Sequence, residues 1–407
     1  MLKGNTTQRM HALTLSDGAV CRSKTGRERC LMIGKNQSYI REINRKAILE
    51  TLIAEDCSAT MLARKLSLSN ASLSTILGGL LRDGYICRTA GEKRSGYGRP
   101  PVYYTFNAGC GALLSVVLAN YYATIVVSDM RMNILARESM RAAKYDLSML
   151  VDLVSKAKEL LAAPRCAAVP LVGVNFSVPG RVNSGTGELQ LSPQFDESIF
   201  GEGNGIVRLF EKQFGVPVRI SNDIDSAARG EMNVGALKGV QNGVLAYVDE
   251  GIGGAIVLGG GLYCGEQGFA GEIGLMRADF RGCSDVLDEF VSLRVLKKYF
   301  SEHAGEKLHT ADIVRLYRED EAARSYINET AHCLGKKIRD IVELLDISTI
   351  VLSGRVVQFG EEYLSAVNAE VAASLNGAKV VASSLGEDAT VYGTASEGVR
   401  AFLASVS

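Results

Sequence analysis

The sequence lacks the features that would place a protein in a membrane or outside the cell. No uninterrupted apolar run approaches the ~18 residues that a membrane helix requires, so no segment is expected to span a bilayer. The first residues have neither the apolar core nor the cleavage pattern of a secretory signal, which predicts a cytoplasmic protein. Nine cysteines, an odd number without any C-x-x-C pair, fit reduced thiols better than a disulfide framework. At 407 residues the chain is long enough for two or three domains.

A net charge of one sign is also missing, but the total of zero hides a strong asymmetry. Residues 1–31 carry six basic and two acidic side chains, residues 32–108 carry eleven and six, and the remainder has a net charge of −9. A compact basic block at one end is typical of a segment that meets a polyanion, and chance clustering on a solvated surface is the alternative. A nucleic-acid-binding unit is therefore expected in this block.

The segment from Ile43 predicts a helix-turn-helix. The first helix is indicated by one apolar stripe at helical spacing, formed by Ile43, Ala47, Ile48, Leu52 and Ile53. Ser58 is the expected N-cap of a short helix, and after a tight turn a further helix is expected to bury Leu73, Ile76, Leu77, Leu80 and Leu81. Two helices of this length joined by a turn of a few residues are typical of that motif.

The solvent side of the later helix is made of small or hydrogen-bonding residues. Such side chains let a helix lie deep in a major groove, where a purely structural helix more often carries Glu and Lys. The predicted DNA-contacting residues are Ser69, Asn70, Ala71, Ser72, Ser74 and Thr75.

A β-hairpin wing is predicted next. The segment "GYICRTAGEKRSGYGRPPVYYTFN" alternates apolar residues on either side of a tip rich in glycine and basic residues. Lys93, Arg94 and Arg99 at this tip are available for contacts with phosphates or the minor groove. Winged helices also serve as protein-interaction modules, but the basic tip favours DNA.

Two segments of this N-terminal unit resemble a known family. "GRPPVYYTFN" (98–107) and "GKNQSYIREINRKAIL" are similar to the ROK family, named for repressors, open reading frames and kinases, and within it to sugar-responsive repressors such as those for xylose and N-acetylglucosamine. The resemblance covers about residues 34–407. Because repressors of the family usually begin a few residues before the equivalent of "GKNQ", we expect translation to start near Met32 and residues 1–31 to be a disordered or mis-annotated extension; an additional basic arm is the alternative.

Beyond the wing, apolar strands alternate with helical segments, which is the pattern of an α/β fold. The resemblance implies an N-terminal winged helix-turn-helix followed by a two-lobed, actin-like sugar-kinase (ribonuclease H-like) fold. The expected domains are the winged helix-turn-helix at 32–108, the first lobe at 109–235, and the second lobe at 236–407 with C-terminal helices returning to the first lobe.

The turn that would hold nucleotide phosphates has changed. Kinases of the family carry an Asp-x-Gly-Gly-Thr turn, because only glycine lets the main chain come close to the phosphates. The matching residues here, 117–121, read Val-Leu-Ala-Asn-Tyr, and the later Gly-Gly turn reads Ser353-Gly354-Arg355, although "GIGGAIV" is recognisable. We therefore expect that the chain has lost ATP chemistry and is not an enzyme.

The sugar pocket implied by the resemblance is better preserved. "ISNDIDSAARGE" matches the family segment whose aspartate takes a proton from a sugar hydroxyl and whose asparagine holds neighbouring hydroxyls, which assigns Asn222 and Asp223 to sugar binding. Without the family context, a strand-end turn with an N-capping aspartate is the simpler interpretation. Glu272 matches the first glutamate of the family's sugar site and Glu289 the last.

The zinc site of the family is expected to be absent. The position of its histidine is Leu275, one of its three cysteines remains as Cys283, and no histidine lies between His11 and His303. Tetrahedral zinc needs about four nitrogen or sulfur ligands, and one thiol cannot hold it. No metal or other cofactor is therefore predicted. Without a metal, the loop 276–288 must be held by Phe280, Val286 and Leu287 or be mobile.

Three functions follow from these patterns. The leading hypothesis is a dimeric regulator, most simply a repressor, that binds palindromic double-stranded DNA and responds to a sugar or sugar phosphate. Its dimer contact is expected on the apolar-striped helices near 321–345. The alternatives are an active sugar kinase with an appended DNA-binding domain and a regulator controlled by a protein partner, with a vestigial pocket.

Overall fold

The computed structural model describes residues 37–90, 102–142, 145–183, 188–192, 195 and 197–406. The predicted extension 1–31 and the basic wing-tip residues Lys93, Arg94 and Arg99 lie outside the described residues. None of the described helices is long and apolar enough to cross a membrane.

The N-terminal unit is a winged helix-turn-helix, as the sequence predicts. Its elements are α1 (Gln37–Ala54), β1 (Cys57–Ser58), α2 (Ala59–Lys65), α3 (Asn70–Arg82), β2 (Ile86–Ala90) and β3 (Val102–Phe106). The three strands form an antiparallel sheet in the order β1-β3-β2. The hydroxyl of Ser58 caps α2 by accepting a hydrogen bond from the amide of Met61 at 3.3 Å. Ile43, which the apolar stripe of α1 included, is 47% exposed, because the packing partners of α1 begin about one turn later, at Ile48.

A second sheet forms what we call the first lobe. Its strand order is β10-β7-β4-β5-β6, with β7 parallel to both of its neighbours and β4, β5 and β6 antiparallel. Helices pack on this sheet and on a small hairpin, β8–β9. The elements are β4 (Ala112–Leu118), β5 (Tyr122–Asp129), β6 (Ile134–Arg141), α4 (Leu147–Ala162), α5 (Pro164–Ala167), β7 (Leu171–Val178), β8 (Arg181–Val182), β9 (Leu189–Leu191), α6 (Glu197–Phe214), β10 (Val218–Asn222) and α7 (Asp223–Val234).

A third sheet, in the order β13-β12-β11-β16-β17, forms the second lobe. A separate hairpin, β14–β15, precedes the helices that cover one face of this sheet. The elements are β11 (Gly243–Val248), β12 (Ile252–Leu258), β13 (Gly261–Tyr263), β14 (Arg277–Phe280), β15 (Cys283–Val286), α8 (Asp288–Val291), α9 (Leu293–Ala304), α10 (Thr310–Glu319), α11 (Glu321–Leu345), β16 (Thr349–Ser353), α12 (Glu361–Val371), β17 (Lys379–Ala382) and α13 (Asp388–Ser405).

The apolar stripe of α11 lies in the core of its own chain. Ile327, Leu334 and Ile338 are buried against the second-lobe sheet and the neighbouring helices. This stripe is therefore buried within the chain, and the end of the helix leaves one large apolar side chain, Leu344, 81% exposed. The dimer contact expected on residues 321–345 stays a prediction. An apolar stripe indicates that one face of a helix is buried but not what covers it. Here the sheet and the neighbouring helices of the same chain cover it.

The last helix, α13, returns to the first lobe and reaches the N-terminal unit. It crosses α7 at two glycines, Gly230 and Gly393, whose missing side chains let the two backbones touch. At its far end the ring of Phe402 packs edge-on against Tyr85, with centroids 5.7 Å apart. The guanidinium of Arg45 donates to the carbonyl of Val406 at 2.9 Å. We call the contact of the two helices the α7–α13 crossing.

The N-terminal unit and the first lobe share one hydrophobic core. Ile48, Leu52 and Leu80 of the winged unit lie in the same buried cluster as Leu113 of β4 and Leu403 of α13. The winged unit is therefore packed onto the body over a continuous apolar surface rather than joined to it by the chain alone.

Candidate functional site

The predicted reading helix, α3, presents all six of its predicted contact residues to solvent. Ser69 is its N-cap and accepts a hydrogen bond from the amide of Ser72 at 3.2 Å, while the hydroxyl of Thr75 donates to the carbonyl of Ala71 at 3.0 Å. The side chains of Asn70 and Ser74 have no partner among the described residues, so their donors and acceptors are available to a ligand.

One exposed cation beside this helix was missed by the sequence reasoning. Arg64 lies in the last turn of α2, the helix that crosses the DNA backbone when this motif binds DNA. It has no ion pair among the described residues, whereas its neighbour Lys65 is paired with Glu55. A basic residue at the end of the helix before the turn is the pattern that could have revealed it.

The winged unit is also fixed to the body by one arginine. Arg131, in the turn between β5 and β6, donates to the carbonyl of Leu52 at 3.1 Å, to Asp56 at 3.1 Å and to the hydroxyl of Thr105 at 3.0 Å. These contacts tie the first lobe to α1, to the following turn and to β3. A shift of this part of the first lobe would therefore move the winged unit with it.

A small cavity between the two lobes brings together two of the four residues predicted to bind sugar. Asn222 and Glu272 both line it, from the first and the second lobe respectively. The glycine-rich segments 252–254 and 268–271 form the opposite wall, and Arg181 and Asp225 are polar residues of the lining that the sequence reasoning missed. The volume is about 60 Å³, which suffices for a few water molecules.

Asn222 is the N-cap of α7, a role that the simpler interpretation of the sequence gave to an aspartate. Its side-chain oxygen accepts from the amides of Ile224 at 2.8 Å and Asp225 at 3.0 Å, and its side-chain nitrogen donates to the carbonyl of Gly180 at 2.8 Å. One N–H of the carboxamide remains for a ligand. The same residue can thus hold the cavity in shape and contact what enters it.

Asp223 follows Asn222 directly and is partly buried. Burial raises the pKa of Asp223 to about 7, and a hydrogen bond from the amide of Ile224 opposes the rise. Burial likewise raises the pKa of Asp225 to about 6, against the lowering effect of Arg229. Two carboxyl groups that titrate near neutrality can each accept or donate a hydrogen bond to a hydroxyl group.

Glu289 lies elsewhere. It belongs to the short helix α8, accepts from Arg294 at 2.8 Å and does not line the cavity of Asn222 and Glu272. Its neighbour Asp288 turns inward instead and accepts from the amide of Ile252 at 2.7 Å, next to the cavity wall. The structure therefore groups Asn222 with Glu272, places Asp223 beside them, and leaves Glu289 in an ion pair.

The segment that corresponds to a zinc loop in the resemblance is a β-hairpin here. Arg281 and Gly282 form its tip with φ of 50° and 81°, the backbone of a type I′ turn. Leu287 is fully buried, and Phe280 packs on the neighbouring helices. Cys283 is exposed and Leu275 provides no metal ligand, so the donors do not fit zinc; the described residues contain no cluster of three metal-binding side chains.

The turn that would approach nucleotide phosphates is filled by side chains and internal hydrogen bonds. The amide of Ala119 donates to the carbonyl of Tyr122 at 2.9 Å, and the hydroxyl of Tyr145 donates to the carbonyl of Ala119 at 2.7 Å. The rings of Tyr121 and Tyr122 are about half exposed at the tip. Across from them Arg355 donates to Asp249 at 3.0 Å, so carboxylates stand at the second turn.

Comparisons with known proteins agree with this arrangement. The sequence profile described as the ROK family matches residues 115–397. The xylose repressor of Bacillus subtilis (strain 168) is 22% identical over 388 residues, which cover 90% of this chain and 98% of that protein. A putative xylose repressor of Caldicellulosiruptor sp. (strain Rt8B.4) is 25% identical over 352 residues, covering 81% of this chain and 87% of the relative.

Solved structures of two kinds share the fold. The crystal structure of a ROK family transcriptional regulator, described as a homologue of the E. coli MLC protein, superposes with a TM-score of 0.77 at 22% identity, covering 90% of this chain and 98% of that one. A ROK hexokinase from Thermus thermophilus superposes with a TM-score of 0.58 at 24% identity, covering 70% of this chain and 96% of that one. The superposition with the transcriptional regulator covers the winged unit as well as the body, because it extends over 90% of this chain.

Proposed function

This chain belongs to the ROK family, and on that premise we propose that it is a DNA-binding transcription regulator, most simply a repressor of carbohydrate genes, that responds to a sugar or sugar phosphate. The xylose repressor of B. subtilis aligns with 90% of the chain, more than residues 109–407 alone could supply. The hexokinase of known structure covers 70%. The winged unit added to the family body therefore supports a regulator rather than a kinase.

The observation that carries this proposal is the exposed face of α3. Asn70 and Ser74 offer free donors and acceptors on a helix with no long side chain in the way, and Arg64 stands beside it to meet a phosphate. The wing cations Lys93, Arg94 and Arg99, which lie outside the described residues, are proposed to add contacts with DNA phosphates.

A selection experiment tests this function even though the operator sequence is not known. Purified full chain is mixed with sheared genomic DNA, retained fragments are sequenced, and the affinity for the enriched site is measured by fluorescence anisotropy at 50 and 200 mM salt. We expect one enriched motif and an affinity that falls steeply with salt, because phosphate contacts release counterions. Failure to retain double-stranded DNA at low salt would refute the proposal.

The effector is proposed to bind in the cavity of Asn222 and Glu272, with Asp223 and Glu289 as further candidates. Vicinal hydroxyls need several donors and acceptors close together, which the free carboxamide N–H and the carboxyl groups supply. A cavity of about 60 Å³ is too small for a pyranose ring, so binding requires the wall 268–271 or the lobes to move apart. A ligand that binds one lobe arrangement better than another is what regulation requires.

The α7–α13 crossing offers a route from this cavity to DNA. Asn222 caps the first turn of α7, α7 touches α13 at Gly230 and Gly393, and the end of α13 contacts Arg45 and Tyr85 of the winged unit. Since glycine contacts leave no slack between two backbones, a displacement of α7 is passed on to α13. We propose that effector binding changes the position of α3 in this way.

Loss of kinase activity is part of the proposal. The turn 119–122 is closed by its own hydrogen bonds and by Tyr145, so its backbone cannot approach nucleotide phosphates as a glycine turn would. The observation that favours residual chemistry is the pKa of Asp223, which suits a general base. ATP consumption with a panel of hexoses distinguishes the two, and turnover above background would establish the kinase.

We also propose that the regulator acts as a homodimer or higher oligomer, because two copies of α3 are needed to read both halves of a palindromic site. Light scattering of the full chain, alone and with operator DNA, measures the mass directly. A monomer on a single half-site would exclude this arrangement.

A further inference from the structure

A second, larger cleft between the lobes is lined mainly by cations. It encloses about 910 Å³, and its lining contains six cationic side chains and one carboxylate, Glu250. The cations are Arg141, Arg294, Lys297, Lys298, Lys307 and Arg355. We call it the basic cleft. Its volume is in the range of small-molecule sites, unlike the cavity of Asn222 and Glu272.

The carboxylates near this cleft do not neutralise it. Glu250 is shared by Lys297 and Arg355, and Arg294 is paired with Asp288 and Glu289 on α8. Arg141, Lys298 and Lys307 have no ion-pair partner among the described residues. Three cations are therefore left to a ligand after the internal pairs are formed.

The remaining wall is aromatic and firmly placed. Tyr121 and Tyr122 are about half exposed, and the ammonium of Lys297 lies 5.8 Å from the centroid of the Tyr121 ring. The amide of Ala142 donates to the carbonyl of Tyr121 at 2.9 Å, which holds the end of β6, and so Arg141, beside these rings. An anion with an organic body could contact the cations with its charge and the rings with its body.

From this arrangement we propose that the basic cleft binds a small phosphorylated metabolite as a second effector, at a place distinct from the cavity of Asn222 and Glu272. Lysine ammonium groups and arginine guanidinium groups are the side chains that phosphoryl oxygens bind most strongly. The ligand contributes the negative charge that the lining of the cleft lacks. It is bound without any transfer of its phosphoryl group. This inference goes beyond the proposed function, because it adds a second ligand site, separate from the cavity of Asn222 and Glu272.

Binding in this cleft is coupled to the positions of the lobes. Arg141 and the two tyrosines come from the first lobe, whereas Lys298, Lys307 and Arg355 come from the second. Like charges on facing walls repel when the cleft is empty, and a phosphoryl group between them reverses the sign of that interaction. An occupied cleft therefore favours lobe closure, and the same closure changes the cavity of Asn222 and Glu272.

Calorimetric titration of the full chain tests the proposal with three probes at 50 and 300 mM salt: inorganic pyrophosphate, glucose 6-phosphate and ATP without magnesium. Unphosphorylated glucose is the control ligand. We expect at least one phosphorylated probe to bind in the micromolar range, and the tightest probe distinguishes a bare phosphate, a sugar phosphate and a nucleotide. Absence of binding by all three at low salt would overturn the proposal.

Matched charge-reversal variants separate the cleft from general electrostatics. The triple variant Arg141→Glu, Lys298→Glu, Lys307→Glu is compared with Arg165→Glu, Lys238→Glu, Lys336→Glu, which makes the same change of net charge at exposed positions outside the cleft. We expect the first to weaken binding at least tenfold and the second to change it less than twofold. Equal losses in both variants would refute a site in the cleft.

Two further readouts keep the result independent of folding and of the proposed DNA binding. The single variant Lys298→Gln, which is exposed, should weaken binding about threefold with an unchanged melting temperature. Both triple variants should bind operator DNA as the wild type does when no phosphorylated ligand is present, because α3 is not part of the cleft. A wild type that ignores DNA yet binds a phosphorylated probe would refute the regulator and leave the cleft assignment intact.

Discussion

Replacement of Gly393 by alanine tests the α7–α13 crossing most directly. A methyl carbon at this position would lie 2.9 Å from the backbone nitrogen of Gly230 and closer still to the carbonyl group of Ser226, so the two helices would have to separate. Overpacking of a buried contact typically costs about 1–3 kcal/mol, and contact with rigid backbone on both sides places this variant at the upper end, ~3 kcal/mol. The gain in helix propensity from Gly to Ala, ~1 kcal/mol, offsets only part of this cost.

The expected change in melting temperature follows from the size of the chain. With an unfolding entropy of about 2.1 cal/mol/K per residue, ~2–3 kcal/mol lowers the melting temperature by roughly 3 °C if the whole chain unfolds as one unit, and by roughly twice that if a lobe of about half its size unfolds separately. Differential scanning calorimetry measures both the midpoint and the number of transitions.

The matched control is Gly78→Ala, in a helix where the nearest atom to a new methyl group is the flexible end of Arg82 at 3.7 Å. This variant should leave the melting temperature unchanged or raise it, since Gly in a helix costs about 0.5–1 kcal/mol relative to Ala. If Gly393→Ala melts within 1 °C of the wild type while Gly78→Ala behaves as expected, the crossing is not tightly packed, and the proposed route from cavity to DNA loses its basis.

Four other predictions address the remaining features. Ser74→Glu should weaken operator binding at least tenfold in fluorescence anisotropy, because it places a carboxylate on the reading face, whereas Ser325→Glu, at an exposed position of α11, should have no effect; equal affinities would remove α3 from the interface. Arg131→Ala should speed hydrogen exchange in α1 and β3 through the loss of ~1–3 kcal/mol of charged hydrogen bonds, with Arg277→Ala, which is highly exposed, as the control. Burial raises the pKa of Asp223 from 3.8 to about 7, so the folded state holds the proton more tightly than the unfolded state, and the free energy of unfolding falls as the pH rises from about 4 to 7. Asp223→Asn should therefore raise the melting temperature more at pH 8 than at pH 4, and the difference in the free energy of unfolding is at most the ~4 kcal/mol that three pKa units represent. An equal effect at both pH values would contradict the shift. Dialysis against a chelator should leave the melting temperature unchanged, because Cys283 has no companion ligands among the residues that the structure describes; a drop of several degrees would reveal a structural metal.

The winged unit could be predicted from the sequence because its determinants are local. Each of these patterns depends on a few neighbouring residues, and the structure agrees with all three: the helical spacing of Leu73, Ile76 and Leu77, the capping serine at 58, and the alternation in the wing strands. Ile43 is the exception, since periodicity cannot tell where along a helix its packing partners begin.

The interior of the body shows where such reasoning stops. The hairpin at 281–282 was not predicted because Arg-Gly is not the usual Asn-Gly or Asp-Gly pair for a type I′ turn. On a one-turn helix such as α8, adjacent residues point about 100° apart, so a similarity match cannot decide whether Asp288 or Glu289 faces inward. The contact of Gly230 with Gly393 joins positions far apart in the chain, and neither glycine looks unusual in its own segment.

The shared core of the winged unit and the first lobe has an evolutionary and practical consequence. Leu403 lies near one terminus of the chain and Ile48 near the other, yet both fill the same apolar interior. A chimera that transplants only the winged unit onto a relative would lose the native partners of this interior, whereas one that exchanges α13 as well keeps Val399 and Leu403. The stability of the winged unit therefore depends on segments from both ends of the polypeptide, and a chimera with a single junction separates them.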